Sequence, residues 1–179
     1  MKVAVKERIL NAAGELFYQQ GYQATGINQI IAESKVAKAS FYDHFPTKED
    51  LCVSYLSLES KRWIDVVNGH VETNITERQK IIALFDHLIA FSTKKNFRGC
   101  GFLNVLAEIG SGSYKIKSAV QQHKLTLLKF IEIKTSLAVS KPIYLLYESA
   151  LMESQVFAAI WPIELAKKMA LNILKTNKS

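Results

Sequence analysis

Lys38, Ser40, Tyr42, Asp43 and His44 place an ammonium, two hydroxyls, a carboxylate and an imidazole within seven residues. Phe41 and Phe45, four apart in the same stretch, would turn inward together on a helix and leave those polar groups facing out. Such donors and acceptors complement the base edges and phosphates of a duplex. Just upstream, Ile27, Ile30 and Ile31 follow the 3.6-residue period, with Thr25 placed to cap their helix and Asn28 as its reciprocal partner. Ser34, Lys35 and Val36 interrupt the two patterns. Helices this short are marginal without a packed neighbour. Crossed by a three- to four-residue turn, they have the helix-turn-helix geometry whose second helix, here about Lys38 to His44, enters the major groove. A helical hairpin inside a bundle is the alternative.

The neighbour lies upstream, where Ile9, Ala12, Ala13, Leu16 and Phe17 form one stripe between Val5 and Gln20, and Gly21 can end that helix in a left-handed conformation. The three helices can then share a small core. From Arg8 to Leu51 the chain, RILNAAGELFYQQGYQATGINQIIAESKVAKASFYDHFPTKEDL, resembles the N-terminal DNA-binding domain of the tetracycline-repressor (TetR) family without a gap. Ala13, Leu16, Phe17, Gly21, Tyr22, Thr25, Ile30, Ala32, Val36, Phe41, Tyr42, Phe45 and Lys48 fall at the positions of that family's pattern. Two departures stand out. Lys35 occupies a turn position that is usually Gly, and Ala37 occupies the cap of the recognition helix, usually Ser or Thr. A left-handed non-Gly residue and a lost cap each cost on the order of 1 kcal/mol. Both bear on operator affinity more than on the fold.

The resemblance implies a head of residues 1–47 and a helical effector-binding and dimerisation domain of residues 48–179. Thr25, Tyr42 and Lys48 would position the head on the phosphate backbone, Lys38, Ala39, Ser40, Asp43 and His44 would face base edges, and Gly26 would belong to the same DNA-binding set.

Composition sets further limits. The 179 residues are 49% hydrophobic, enough for a helical core, and carry a net charge of +7. Through Arg62 there are 8 basic and 7 acidic residues, so the excess basicity lies mostly after the head. It serves as general attraction to a polyanion, with Lys2, Lys6, Lys38 and Lys48 as local contacts. Lys167, Lys168, Lys175 and Lys178 read as a solvated face. MKVAVKERIL has no apolar run of a signal peptide, and no segment is long enough to span a bilayer, which points to the cytoplasm. Cys52 and Cys100 are too few for a disulfide scaffold and lie in no zinc pattern.

After the head, Thr47 and Asp50 form a capping signature for a connecting helix running to about Asn68, ended by Gly69. A helix after Thr76 carries Ile81, Ile82, Leu84, Phe85, Leu88, Ile89 and Phe91, and Lys94 to Gly101 breaks the pattern. Phe102 to Ile109 is a short helix, and Gly110 to Ser113 a loop. A long helix from about Tyr114 to Ala138 follows. Ser140 and Pro142 start the next, ending near Trp161, and Pro162 opens the last. The expectation is an all-α protein of about nine helices, without strand alternation or internal repeats.

On the penultimate helix, Ile143, Leu146, Tyr147, Ala150, Leu151 and Phe157 form one apolar stripe, while Leu145, Met152, Val156 and Ala159 form a second. A central helix apolar all round would explain both. The resemblance favours a homodimer interface, since a two-fold dimer presents two recognition helices to a pseudo-palindromic operator. Trp63, Phe85, Phe102, Asn104, His123, Tyr144 and Tyr147 are the candidates for a pocket that takes a small, largely apolar effector. Ordinary core packing is the competing reading for each. Cys100, in KKNFRGCGF, reads as a small buried hydrophobe; with Lys94, Lys95 and Arg98 near it in sequence, an electrophile or oxidant sensor is the alternative. The function classes left standing are a dimeric, ligand-responsive transcriptional regulator, first as a repressor, and a helical adaptor or an enzyme. Catalysis lacks a constellation: His44, His70, His87 and His123 are scattered, and no nucleophile, metal or cofactor motif occurs.

Overall fold

A computed structural model describes residues 4–71, 76–110 and 112–177. Lys2, Lys178 and Ser111 of the Gly110 to Ser113 loop lie outside the described residues. Among these there are nine α-helices and no strand: α1 (Val5–Gln20), α2 (Ile27–Ser34), α3 (Lys38–His44), α4 (Lys48–Val71), α5 (Glu77–Lys94), α6 (Gly101–Ile109), α7 (Tyr114–Lys134), α8 (Leu137–Phe157) and α9 (Trp161–Thr176). No helix among the described residues is long and apolar enough to cross a membrane.

The chain gathers into two compact units, Met1–Lys61 with Gly101–His123, and Arg62–Cys100 with Lys124–Ser179. In the first, α1 buries Ile9, Leu10, Ala13, Leu16 and Phe17 and packs on α2 and α3. Those short helices contribute Ile30, Phe41 and Phe45, and α4 adds Leu51, Cys52, Tyr55 and Leu56. Truncating a fully buried Phe typically costs about 3–5 kcal/mol, so Phe41 and Phe45 can hold a seven-residue helix that propensity alone would not. Gly21 ends α1 at φ 95°, a backbone that calls for glycine, and a Cβ there would stand 2.7 Å from Glu108 Oε1 and push that carboxylate aside.

The connection between α2 and α3 is built as its two unusual residues imply. Lys35 is left-handed at φ 53°, ψ 46°, and Ala37 starts α3 without a side-chain cap. Lys35→Gly together with Ala37→Ser should therefore raise stability by about 1–2 kcal/mol, read as a higher denaturation midpoint. A lower midpoint would show that neither position is strained.

In the second unit α8 packs on α9, and both pack on α5. Ile81, Phe85, Leu88, Val139, Ile143, Tyr147, Ile163 and Ala170 are among its buried side chains. Thr76 starts α5 with a full capping box to Gln79. Several boundaries differ from expectation. Helix α4 continues through Gly69 to Val71, since a single glycine costs a helix only about 1 kcal/mol. Helix α7 stops at Lys134, and α8 begins at Leu137, so Pro142 lies inside it instead of at its start. Pro142 and Ala138, whose carbonyl it leaves without an intrahelical donor, are both exposed, and water can take the vacancy. Helix α8 ends at Phe157, before a left-handed Ala158. Phe157 itself is exposed beside Trp161, off the buried stripe assigned to it.

Candidate nucleic-acid interface

Helix α3 has the predicted bounds and the predicted faces. Phe41 is buried beneath it, while Lys38, Ala39, Tyr42, Asp43 and His44 are exposed and Ser40 is half-buried. Tyr42, 41% exposed, sets its ring edge-on to Phe41 and keeps the phenol at the surface. The polar residues therefore share an outward face the length of one short helix.

Thr25 departs from its expected part. Gly26 is the N-cap of α2, with no side-chain cap hydrogen bond from Thr25 or a reciprocal Asn28. The Thr25 side chain is fully buried and its hydroxyl donates to the Gly21 carbonyl at 2.7 Å. It folds the loop back on α1 and offers a phosphate no free hydroxyl. Nothing lies within 4 Å of where a Gly26 Cβ would stand, so the uncapped first turn of α2 is open to solvent.

Lys48 begins α4 half-buried, its Nζ 4.4 Å from the centre of the Tyr22 ring and 3.4 Å from the Gln23 carbonyl oxygen. Burial pulls its ammonium below the usual lysine range, against the opposing pull of Cys52 and Glu108. The same burial pushes the Tyr22 phenol up to about 12. Beside it the capping signature forms: Asp50 N–H donates to Thr47 Oγ1 at 3.0 Å, and the Thr47 hydroxyl donates back to Asp50 Oδ2 at 2.6 Å. The Thr47 hydroxyl, with the Lys115 ammonium, holds the Asp50 carboxyl below the ordinary range. Lys6 is exposed near the Phe45 ring.

Three supports of the head have no local sequence signal. Arg8 on α1 donates from its guanidinium to the Lys35 carbonyl at 3.1 Å, bracing the left-handed turn. Gln20 ties the end of α1 to Ala24 and to Gln29 on α2. Glu108 on α6 accepts from the Gln23 N–H at 2.7 Å. A sequence window cannot pair residues 27 or 85 positions apart.

The effector candidates fall into two groups, one in each unit. Phe102 and His123 stack at 3.6 Å in the first, with Asn104 half-buried on the same helix as Phe102. Trp63, Phe85 and Tyr147 meet edge-on in the second: Trp63 lies 6.4 Å and Phe85 5.9 Å from the Tyr147 ring. Tyr144 is half-buried on α8, and burial raises both tyrosine pKa values.

Cys100 is 5% exposed, and its Sγ accepts from Lys124 Nζ on α7 at 3.5 Å. Lys124 in turn donates to Glu148. Burial opposes its charge, but the Cys100 and Glu148 partners outweigh it and raise its pKa. Cys52 is fully buried, and desolvation pushes its thiol up to about 12, which removes it as a nucleophile. Leu145, Met152 and Val156 are exposed on α8 and Ala159 is half-buried just past its end. On α9 Lys168 and Lys175 are solvated, whereas Lys167 pairs with Asp86 at 2.7 Å.

Residues 9–54 match the family model described as "Bacterial regulatory proteins, tetR family". The chain is 27% identical over 119 residues to an HTH-type transcriptional regulator from the lacX 3' region of Lactococcus lactis subsp. lactis, covering 65% of this chain and 61% of that one. It is 41% identical over 59 residues to the HTH-type transcriptional regulator QacR of Staphylococcus aureus, which is 33% of this chain and 31% of that one. Identity reaches 50% over 60 residues with the HTH-type transcriptional regulator LmrA of Bacillus subtilis, over the same shares. The matched segments thus span about three fifths of the first relative and under a third of the other two. The fold is that of reduced Escherichia coli NemR, at a TM-score of 0.83 and 20% identity over 96% of this chain and 97% of that one. It is also that of a TetR regulator from Legionella pneumophila, at 0.80 and 22% over 97% and 100%. Residues 9–54 thus carry the tetR-family regulatory domain, and the chain shares the fold of a solved TetR regulator.

Proposed function

We propose that the chain is a dimeric transcriptional regulator, a repressor, that binds a pseudo-palindromic operator through α3 and is released by a small, largely apolar effector. The observation that carries this reading is α3 itself, seven residues long and anchored by Phe41, with Lys38, Ala39, Tyr42, Asp43 and His44 turned to solvent. A helix so small has no packing reason for so many outward polar groups. In a major groove they would meet base edges, with Ser40 at the margin. Tyr42 and Lys48 would sit on phosphates, and the open first turn of α2 at Gly26 would offer main-chain amides to another. Thr25 then acts by shaping the loop that presents those amides.

The working division lies between a reading head, residues 1–47, and the remaining chain. Leu145, 64% exposed, and Val156, 72% exposed, continue into Phe157, Trp161, Leu165 and Met169 as an apolar face of α8 and α9, which supports a second copy as its cover. The aromatic group of Trp63, Phe85, Tyr144 and Tyr147 supports an effector of similar apolar character, which would shift the balance between DNA-competent and incompetent states. Such a regulator works in the cytoplasm. The relatives' description as HTH-type regulators supports the same class over an enzyme or adaptor.

The roles separate by experiment. Tyr42→Phe and Lys48→Ala should weaken binding to all duplexes by a similar factor, since phosphate contacts carry little sequence information. Lys38→Ala or His44→Ala should instead reorder preference among duplexes, by about 1–3 kcal/mol at the position read. A selection from random duplexes in which Lys48→Ala reorders preference and His44→Ala does not would reverse the assignment.

A further inference from the structure

The corner between α6 and α7 touches the head at both flanks of the helix-turn-helix. On the upstream flank, the carboxylate of Glu108 accepts the Gln23 N–H at 2.7 Å while its main-chain carbonyl accepts from Gln23 Nε2 at 3.3 Å. The loop so held is the one that leads into α2, and Gly21 leaves room for that carboxylate, as its missing Cβ would stand 2.7 Å from Oε1. On the downstream flank, the Ser113 hydroxyl donates to Glu49 on the first turn of α4, immediately after α3. The same Ser113 oxygen accepts from the Ile116 N–H at 3.1 Å, so its position is set by the start of α7. Lys115 adds an exposed pair to Asp50 at 2.9 Å, of small energetic value.

The placement of Glu108 needs a reason. It is the penultimate residue of α6, where the helix dipole disfavours a carboxylate. What it gains there is one charge-assisted hydrogen bond from a loop amide and the field of Lys48, whose ammonium it favours. Neither partner is on its own helix. The carboxylate is therefore spent on holding the loop, not on stabilising α6.

We infer that Glu108 and Ser113 are positioning residues for DNA binding: they grip the two ends of the α2–α3 unit and fix its orientation before a duplex arrives. The inference rests on the DNA-binding reading and deepens it. Neither residue touches DNA, so neither should alter the number of phosphates neutralised. Their loss frees the flanking backbone, and the ordering is then done at the moment of binding, at the expense of affinity.

The test uses the full chain and the duplex that the wild type enriches most from a random library. Glu108→Ala and Ser113→Gly are compared with wild type, glycine being chosen because it costs the α7 cap only a few tenths of a kcal/mol. Amide exchange should rise about ten-fold over residues 21–26 in the first variant and over residues 47–51 in the second. Affinity should fall roughly ten-fold in each, with the slope of log affinity against log salt unchanged. Because both grips serve one rigid unit, the double variant should lose less than the product of the two. Glu108→Gln keeps an acceptor and should restore affinity to within about two-fold of wild type. Faster exchange with affinity held within two-fold would overturn the positioning role alone, as would a changed salt slope or unchanged exchange. A wild type that enriches no duplex would overturn the DNA-binding reading itself, and the positioning role with it.

Discussion

Replacing Glu148 with alanine is expected to destabilise the protein by about 3 kcal/mol, because it strands the Lys124 ammonium in a site where the pair is only 16% and 15% exposed. The remaining neighbour, the Cys100 thiol at 3.5 Å, is a weak acceptor and cannot replace a carboxylate. Breaking such a pair from one side costs about 3–5 kcal/mol, and the residual exposure argues for the lower end. Replacing both members, as Lys124→Met with Glu148→Leu, removes the stranded charge and should recover most of the loss. Denaturant titration at neutral pH checks both variants. The pH dependence has a definite sign. Lys124 titrates above its ordinary 10.5, so its share of stability is complete below that value and is lost as pH rises through the raised folded one. A Glu148→Ala midpoint equal to wild type would mean that the pair is solvated and contributes nothing.

Leu145→Glu combined with Val156→Glu is expected to dissociate the proposed dimer. The two side chains are 64% and 72% exposed in the single chain, and α8 needs neither for its own core. Covering a Leu or Val is worth about 1.5–3 kcal/mol each, and a two-fold interface doubles the account, so a dissociation constant raised at least about a hundred-fold is the expected size. The glutamates would add unpaired charge to an apolar contact. The monomer should keep its helical content, since both positions face away from the buried stripe of Ile143, Tyr147, Ala150 and Leu151. Sedimentation at micromolar concentration reads the result. A wild type that already sediments as a monomer would remove the two-fold operator model.

What could be read from sequence was local. The recognition helix emerges with its bounds intact because Phe41 and Phe45 both define its inner face and anchor it. The left-handed turn at Lys35 was visible as a departure from a glycine position, and the backbone there is indeed left-handed. Thr25 is not the cap of α2 expected from sequence, because its hydroxyl donates instead to the Gly21 carbonyl, which reaches it only after the intervening loop folds back. The partner of the Cys100 thiol was not legible in sequence for a related reason. The backbone before it is left-handed at Asn96, Phe97 and Gly99, while the ammonium that meets the thiol is that of Lys124 on α7. Pro142 marks a different limit: a proline signals a helix start only when nothing earlier can start it, and α8 has already begun at Leu137. Glu108 and Arg8 needed the tertiary structure, because their acceptors and donors are brought near by other helices.

The central claim is that α3 reads duplex DNA as one of a symmetric pair. Selection of duplexes from a random pool by the wild-type chain, followed by the mass of the complex on the enriched sequence, tests it most directly. The account predicts an inverted repeat whose half-sites lie about one helical turn apart, about 34–36 Å, occupied by an even number of chains. A pool that stays random, or an enriched sequence without two-fold symmetry bound by a single chain, would contradict it.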